Sequence, residues 1–491
     1  MNRLDRLIGY FAPGWGASRA RARAFMAASD AAYEAVRKSR LRRLGSDHGS
    51  GNQAIALAGP ALRSEARRLE RNHDIARGAL NTLEQNVVGP SGIGIEPQPM
   101  TTAGELDEDL AWEIKNLWDN WTESPEVTRN HDWASAQRML CRSWLRDGEV
   151  LTQDVMGLIP TLDHGTVVPY SIELIEADLL DWDYNDVERR IMYGVERSQW
   201  NRAQAYHLFK QHPGDPDQFG VPDRKRVTAD RIRHLALRDR INQVRGVSIF
   251  ASVLTRLADL KDYEESERVA AKVAASMAGF IKRGSPDMYS PDTGVNANGQ
   301  QKHRPQFFEA GMIMELETGE DAGTFDTSRP NTSLEAFRDG QLRATAGGFR
   351  MSFSSLAKKY DGTYSAQRQE LVEQWGAYAL MSAEFAHQQV RPTYRKFITA
   401  AQLSGALKPR RNTDLTKLSD ALYIPQSMPW IDPKKEAEAW GLLEEKGYIA
   451  APEVIRRRGG NPRDVLKQTA SWKKQRADYG LDSNTPTEGT A

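Results

Sequence analysis

The chain has almost no cysteine, no net charge and no long apolar run. Cys141 is the single cysteine in 491 residues. One thiol excludes an internal disulfide and a thiolate metal cluster, and it suits a reducing cytosol. Lys plus Arg and Asp plus Glu each number 66, so the formal charges cancel. A protein that coats DNA carries a strong basic excess, and this one does not. The longest apolar stretch, near VAAKVAASMAGFI, is interrupted by Lys272. It is too short to span a bilayer, so no membrane partner is expected. The opening MNRLDRLIGYFAPGWG has Asp5 and no apolar core, unlike a secretion signal.

Catalytic signatures are missing as well. No G-x-x-x-x-G-K-[ST] occurs, which excludes an ordinary P-loop, and neither H-E-x-x-H nor G-x-S-x-G is present. GPSGIGI at 89–95 is glycine-rich but lacks the Lys-Ser/Thr that a phosphate loop needs. NHDW (130–133) and LDHG (162–165) each set His beside Asp. Such neighbours more often cap helices or close turns than bind metal. Cys141, within RMLCRSWL, reads as a buried structural thiol on a helix. The expectation is a non-enzyme with no catalytic residues, no metal and no cofactor.

What is present is helix, with a mixed middle. Hydrophobic residues make up 40% and charged residues 27%, a globular balance. The length allows two to four domain-sized units. Charge is unevenly placed. Residues 1–73 hold 14 basic and 6 acidic residues, 104–126 hold 8 acidic residues and one Lys, and 451–480 hold 8 basic and 3 acidic. Such blocks are either solvated helix faces or meeting points for charged partners.

Residues 17–43 read as helix and GSDHGSGNQ (45–53) as a flexible linker. A second helix is expected at 60–88, an acidic one at 103–122 carrying Trp112, Trp118 and Trp121, and another at 133–146. From Gly148 the period shortens. GEVLTQDVM, YSIELIEADLL, IMYGVERSQ and QAYHLFKQH read as strands. Phe250, Val253, Leu254, Leu257, Leu260, Val269, Val273, Met277 and Phe280 then repeat at helical spacing. Ser248 is the expected N-cap and Gly284-Ser-Pro the stop. A loop-rich insert with two short strand candidates follows at 284–331, and a helix at 333–346. GGFRMSFSSLAKKYDGTYS (347–365) reads as a flexible, polar connector into a helix from Ser365 to Phe397. The tail LDSNTPTEGTA has a disordered composition.

Four blocks carry a resemblance. They are RARAFMAASD with ALRSEARRLERNHDIARGALNTLEQNVVGPSGIGIEPQP, DRINQVRGVSIFASVL (239–254), TYSAQRQELVEQW (363–375) and PWIDPKKEAEAW (429–440). In this order they resemble phage portal proteins of the lambda type across nearly the whole chain. The family usually has Pro-Gly where Ile241-Asn242 stand, and Ser-Ser where Ala366-Gln367 stand.

The resemblance implies an α+β, mainly helical portal fold with a mixed α/β wing, long stem helices, a small α/β clip insert and a helical crown. Mapped onto this chain it gives a basic arm at 1–59, wing at 60–247, first stem helix at 248–283 and clip at 284–331. The second stem helix falls at 332–346, the tunnel loop at 347–364, a long helix back towards the crown at 365–428, and crown and tail at 429–491. It implies a ring, usually of twelve copies, at one capsid vertex of the virion, assembled in the host cytoplasm. Double-stranded DNA would pass through without sequence recognition. The terminase large subunit, a head-completion or adaptor protein, and major capsid and scaffold proteins would dock. Arg350, Lys358 and Lys359 are the candidate channel cations. Lys282 and Arg283, at the stem-helix end, could also face DNA. Arg37, Lys38, Arg40, Arg42 and Arg43 form the candidate basic arm. The competing readings are a DNA-acting phage enzyme, such as a nuclease or helicase accessory with an unrecognised site, and another capsid or tail structural protein.

Overall fold

The computed structural model describes residues 49–216, 223–276, 280–283, 320–323, 334–429, 432–479 and 481. The chain divides into a unit of Met1–Ala54 and a unit of Ile55–Ala491. The basic-arm candidates Arg37, Lys38, Arg40, Arg42 and Arg43 lie outside the described residues, as does most of 284–331.

Helix α1 (Gly51–Asn72) takes up the last residues of the expected linker, and α2 (Asp74–Val87) follows. The single helix expected at 60–88 is broken at His73, which turns extended (φ −128, ψ 116). Its buried ring then reaches the Leu257 carbonyl at 3.1 Å. Local propensity cannot foresee that long-range contact. Helices α3 (Glu108–Thr122) and α4 (Trp133–Asp147) start where Asp107 and Asp132 accept N–H bonds from Leu110 and Ser135. Gly148, at φ 85, ends α4. Trp118 and Trp121 of α3 and Trp133 of α4 meet in one aromatic cluster. Trp118 lies 4.7 Å from Trp121, 5.5 Å from Tyr394 and 5.1 Å from Phe397. Trp121 donates its indole N–H to the Tyr170 carbonyl at 2.8 Å, so its polar atom is satisfied in the core.

Strand β1 (Gly94–Pro97) precedes α3. Strands β2 (Glu149–Met156) and β3 (Tyr170–Ile175) follow α4, then β4 (Ile191–Met192), β5 (Val195–Arg197), β6 (Ala203–Phe209), β7 (Arg224–Thr228) and β8 (Ile232–Ala236). Strand β2 is central in an antiparallel sheet of order β3-β2-β8, with Leu151 opposite Ile175 and Glu149 opposite Ala236. The second sheet runs β4-β5-β6-β7. IMYGVERSQ is two strands, not one. Tyr193 (φ 51) and Gly194 (φ 79) form a two-residue hairpin turn. A Cβ on Gly194 would sit 2.5 Å from the Asp181 carbonyl, so the turn also needs the missing side chain.

Ser248 caps a short 3-10 turn, Ile249–Ser252, and α5 runs Leu254–Ser276. It stops earlier than its apolar spacing suggested. Phe280–Arg283 form β9, antiparallel to β10 (Glu320–Gly323). Gly279 and the aromatic and β-branched pair Phe280-Ile281 favour strand over helix. Lys282 and Arg283 therefore do not end a helix. They stand on a strand, in register with Asp321 and Glu320.

Helix α6 (Leu334–Gly348), α7 (Phe353–Ala357) and α8 (Tyr364–Phe385) come next. A π turn, Ala386–Val390, joins α8 to α9 (Arg391–Leu403). Pro392 has no N–H to give to the preceding turn, which accounts for the widened ladder. Strand β11 (Ala421–Ile424) pairs with β1, and α10 (Pro433–Glu445), α11 (Ala451–Arg457) and α12 (Pro462–Asp478) close the chain. The main core lies among α2–α4, the first sheet, the start of α5, and α6–α9. A smaller one, including Leu151, Leu180, Val195 and Leu208, lies at the second sheet.

Candidate functional site

The stretch expected as a flexible connector is anchored. Arg350 (φ 57) ends α6 in a left-handed conformation. Its N–H donates to the Gly347 carbonyl and that of Met351 to Ala346, at 3.2 and 3.0 Å. This is a Schellman closure with arginine where glycine is usual. Phe349, Met351 and Leu356 are buried in the main core. Gly348 is there for close packing rather than freedom, because a Cβ would lie 2.3 Å from Val253 Cγ1. Ser352 caps α7. Gln374 of α8 accepts from the Ser352 N–H at 3.2 Å and the Ser355 hydroxyl at 2.9 Å. Glu370 accepts from the Ser354 hydroxyl at 2.6 Å. Two residues one turn apart on α8 thus hold the turn before them.

The three candidate channel cations differ. Arg350 is exposed. Lys358 is exposed, at φ 53, and its ammonium donates to Thr82 Oγ1 at 3.3 Å. Lys359 is bound within the chain, to Glu335 at 2.7 Å, Asp339 at 2.8 Å and Asp361 at 3.5 Å. Its hydrogen bonds to Asp339 and Glu335 raise its pKa, so it stays charged but is neutralised where it stands. Nearby, α5 and α6 lie side by side. Tyr263 packs on Phe337 at 4.9 Å, Arg338 pairs with Glu264 at 2.6 Å, and Arg256 donates to Gln341 at 2.6 Å.

A second constellation escaped the sequence reading, although QVRG (243–246) was in plain view. Arg245 is fully buried. Its guanidinium Nε donates to Glu149 at 2.8 Å, its Nη2 lies in ion-pair contact with the same carboxylate at 2.6 Å, and the fork donates to the carbonyls of Ala177 at 3.1 Å, Leu180 at 3.2 Å and Tyr193 at 3.0 Å. Each of the three guanidinium nitrogens has an acceptor. Glu149 also accepts from Arg63 at 2.7 Å, His234 at 2.9 Å and the Gly246 N–H at 2.9 Å. Burial opposes its charge, but Arg245, His234 and Arg63 hold the carboxyl well below its usual range. One carboxylate thus joins α1, β2, β8 and the QVRG turn. Gly246 is forced by the same packing, since a Cβ would lie 2.0 Å from the Gly148 carbonyl. The sequence signal was a Gly-flanked arginine after a strand, which equally describes an exposed one.

The His–Asp neighbours do local work. Asp132 caps α4, and Asp163 accepts from the Gly165 N–H at 2.9 Å. His164 bridges Ser171 Oγ and the Gly157 carbonyl. Glu176, Asp178 and His212 converge within 4.8 Å. Arg67 already occupies the place of a cation there, 2.5 Å from Asp178. Cys141 is buried, and burial pushes its thiol up, as expected of a structural residue. Part of the uneven charge is settled within the chain. Arg463 of the basic C-terminal block pairs with Glu108 of the acidic helix at 2.9 Å, and Arg456 with Glu96 at 2.6 Å. No helix among the described residues is long and apolar enough to cross a membrane.

These features define a class. A mixed α/β body is braced by buried ion pairs and continues into a helix, strand pair and helix series ending in an anchored turn. The profile of the phage portal proteins of the lambda family matches residues 37–381, well over half of the chain. The chain belongs to that family. A relative described as a probable portal protein, from Halomonas phage phiHAP-1, is 25% identical over 431 residues, covering 86% of this chain and 82% of its own. Among solved structures, a chain of the virion of a native gene transfer agent particle is 13% identical with TM-score 0.46. The match covers 84% of this chain and all of that one. A chain of the neck of that native particle is 14% identical with TM-score 0.41, covering 84% of this chain and 99% of that one.

Proposed function

We propose that this portal protein is the repeating subunit of a ring, expected to hold twelve copies, at one vertex of a phage capsid, with double-stranded DNA packaged and ejected through its centre. The family match over residues 37–381 carries this reading. In it the α/β body (60–247) is the wing, and α5 and α6 are the stem pair. The first stem helix then ends at Ser276, and the insert between the two stem helices is the clip, with β9 and β10 at its base. The anchored turn at 347–364 is the tunnel segment. Helix α8, the π turn and α9 lead back through the body, and 429–491 form the crown and tail. The terminase large subunit, a head-completion or adaptor protein, and major capsid and scaffold proteins are the docking partners. The virion is the location, after assembly in the host cytoplasm. The family is structural rather than enzymatic.

Of the tunnel cations, Arg350 and Lys358 are the exposed ones and the proposed contacts to phosphate. A few exposed charges repeated around a ring touch DNA without gripping it. Arg37, Lys38, Arg40, Arg42 and Arg43 remain proposed contacts to capsid, scaffold or DNA, and Lys282 and Arg283 proposed contacts at the clip base. Negative-stain microscopy of the purified chain tests the reading. Rings with a central hole are expected, and a uniform monomer at high concentration overturns it.

A further inference from the structure

The last three helices bury almost nothing. Helices α10 and α11 have no buried residue, and α12 has only Arg463. A helix without a buried apolar face gains little from tertiary packing. Yet these helices carry large apolar side chains. Leu442 is 51% exposed, Trp472 59% and Tyr479 81%. They are not scattered. On α12, Val465, Thr469 and Trp472 recur at i, i+4 and i+7, which lays one stripe along the helix, and Tyr479 stands just past its end as the C-cap. On α10, Glu438, Leu442 and Glu445 recur at i, i+4 and i+7. Leu443 sits beside that row, and Lys473 sits beside the α12 stripe.

The two stripes differ in charge. Glu445 has no ion-pair partner among the described residues, and Glu438 has only the exposed, 4 Å-class contact with Lys434, at 3.9 Å. Lys473 has none among them either. One surface is apolar with acidic flanks and the other apolar and aromatic with a basic flank. A ring needs this arrangement, because its head-to-tail contact joins two different and complementary patches.

Resting on the ring reading above, we propose that α12 of one copy packs against α10 of the next. Trp472 and Tyr479 cover Leu442 and Leu443, and Lys473 meets Glu438 and Glu445. The occupant of each stripe is a second copy of this chain. The C-terminal helices then act as a collar that closes the ring independently of the α/β body.

The test uses the full chain and reads the protein concentration at half-assembly, by sedimentation velocity and negative stain. Glu438→Lys with Glu445→Lys, and separately Lys473→Glu, are each expected to raise that concentration about tenfold, roughly 1.4 kcal/mol per interface. The chain carrying all three changes is expected to return to within about threefold of wild type, because the attraction is restored with the signs exchanged. Trp472→Ala is expected to raise it by at least as much as either charge variant. All four positions are exposed, so circular dichroism and the unfolding midpoint should match wild type. Variants that assemble at the wild-type concentration overturn this inference alone and leave the ring reading standing. Failure of the triple variant to recover overturns the pairing of α10 with α12. Normal assembly with lost DNA retention in Lys473→Glu assigns α12 to nucleic acid instead, and also overturns it. A wild-type chain that never forms rings removes the reading beneath.

Discussion

Arg245 and Arg350 are the same residue put to opposite uses. Arg245 is enclosed, and each of its three guanidinium nitrogens has an acceptor on Glu149 or on the carbonyls of Ala177, Leu180 and Tyr193. Arg350 is exposed on a left-handed turn, and its backbone, not its charge, holds the fold together. The first charge is spent inside the subunit and has nothing to offer a partner. The second forms no ion pair among the described residues. The difference shows why counting charges cannot locate an interface. What matters is how many of a cation's hydrogen bonds the chain itself already satisfies.

The largest expected effect comes from opening the Arg245 site. Arg245→Ala leaves Glu149 buried with fewer partners and takes a donor from the Leu180 and Tyr193 carbonyls. Losing one partner of a buried pair costs about 3–5 kcal/mol. Urea unfolding should show that loss. Arg245→Lys should recover only part of it, since one ammonium cannot reach the five acceptors of a planar fork. If Arg245→Ala unfolds within 1 kcal/mol of wild type, on the order of the noise of extrapolation, the contrast between the two arginines fails.

Next comes pH. Burial lowers the pKa of His234 from its ordinary 6.5, so the folded state prefers the neutral ring. Its contribution is complete above that value and is lost as the pH falls through it towards the lower folded one. Glu149 is also lowered, from an ordinary 4.5, so its contribution is lost at still lower pH. Both act in the same direction. The urea midpoint is expected to fall between pH 7.5 and 5, and further below 4.5. His234→Gln keeps a donor but cannot titrate, so it should flatten the first step and leave the second.

Much of the architecture could be read in advance, and the misses at His73, the 347–364 turn and Arg245 share a cause. The starts of α3, α4, the turn at Ser248 and α8 follow local chemistry, because Asp107, Asp132, Ser248 and Thr363 each accept an N–H bond a few residues on. The strands around Glu149 show in their short period. What failed was set at long range. His73 breaks a helix for a carbonyl 184 residues away. Residues 347–364 looked free because their glycines, serines and lysines are the residues of loops. Val253, Glu370, Gln374 and Glu335, all remote in sequence, fix them. Arg245 was visible as a letter, but its burial depends on α1, both sheets and Trp182, whose ring it covers at 4.4 Å.

Lys359 and Lys358 sharpen the comparison on a smaller scale, since they are adjacent and differently bound. Lys359→Glu places a fourth carboxylate among Glu335, Asp339 and Asp361, and repulsion should lower the unfolding midpoint. Lys358→Glu gives up one long bond to Thr82 and should leave the midpoint nearly unchanged. A packaging defect in Lys359→Glu would therefore report on the fold. The same defect in Lys358→Glu would report on the channel. Equal midpoints for the two would show that the carboxylate trio does not hold the segment.

The smallest expected change in stability is the most informative about function. Arg350 holds a left-handed conformation that a side chain resists and glycine accepts, a difference of about 1 kcal/mol. Arg350→Gly removes the charge and relieves the backbone together, so the midpoint should stay level or rise slightly. Arg350→Gln removes the charge and keeps the strain. If Arg350 meets DNA, both variants should form normal rings and package or retain less DNA, to the same degree, despite their different stabilities. Reduced packaging in only one of them would trace the defect to the α6–α7 turn. Normal packaging in both would leave Lys358 as the exposed cation of this segment to be tested against DNA.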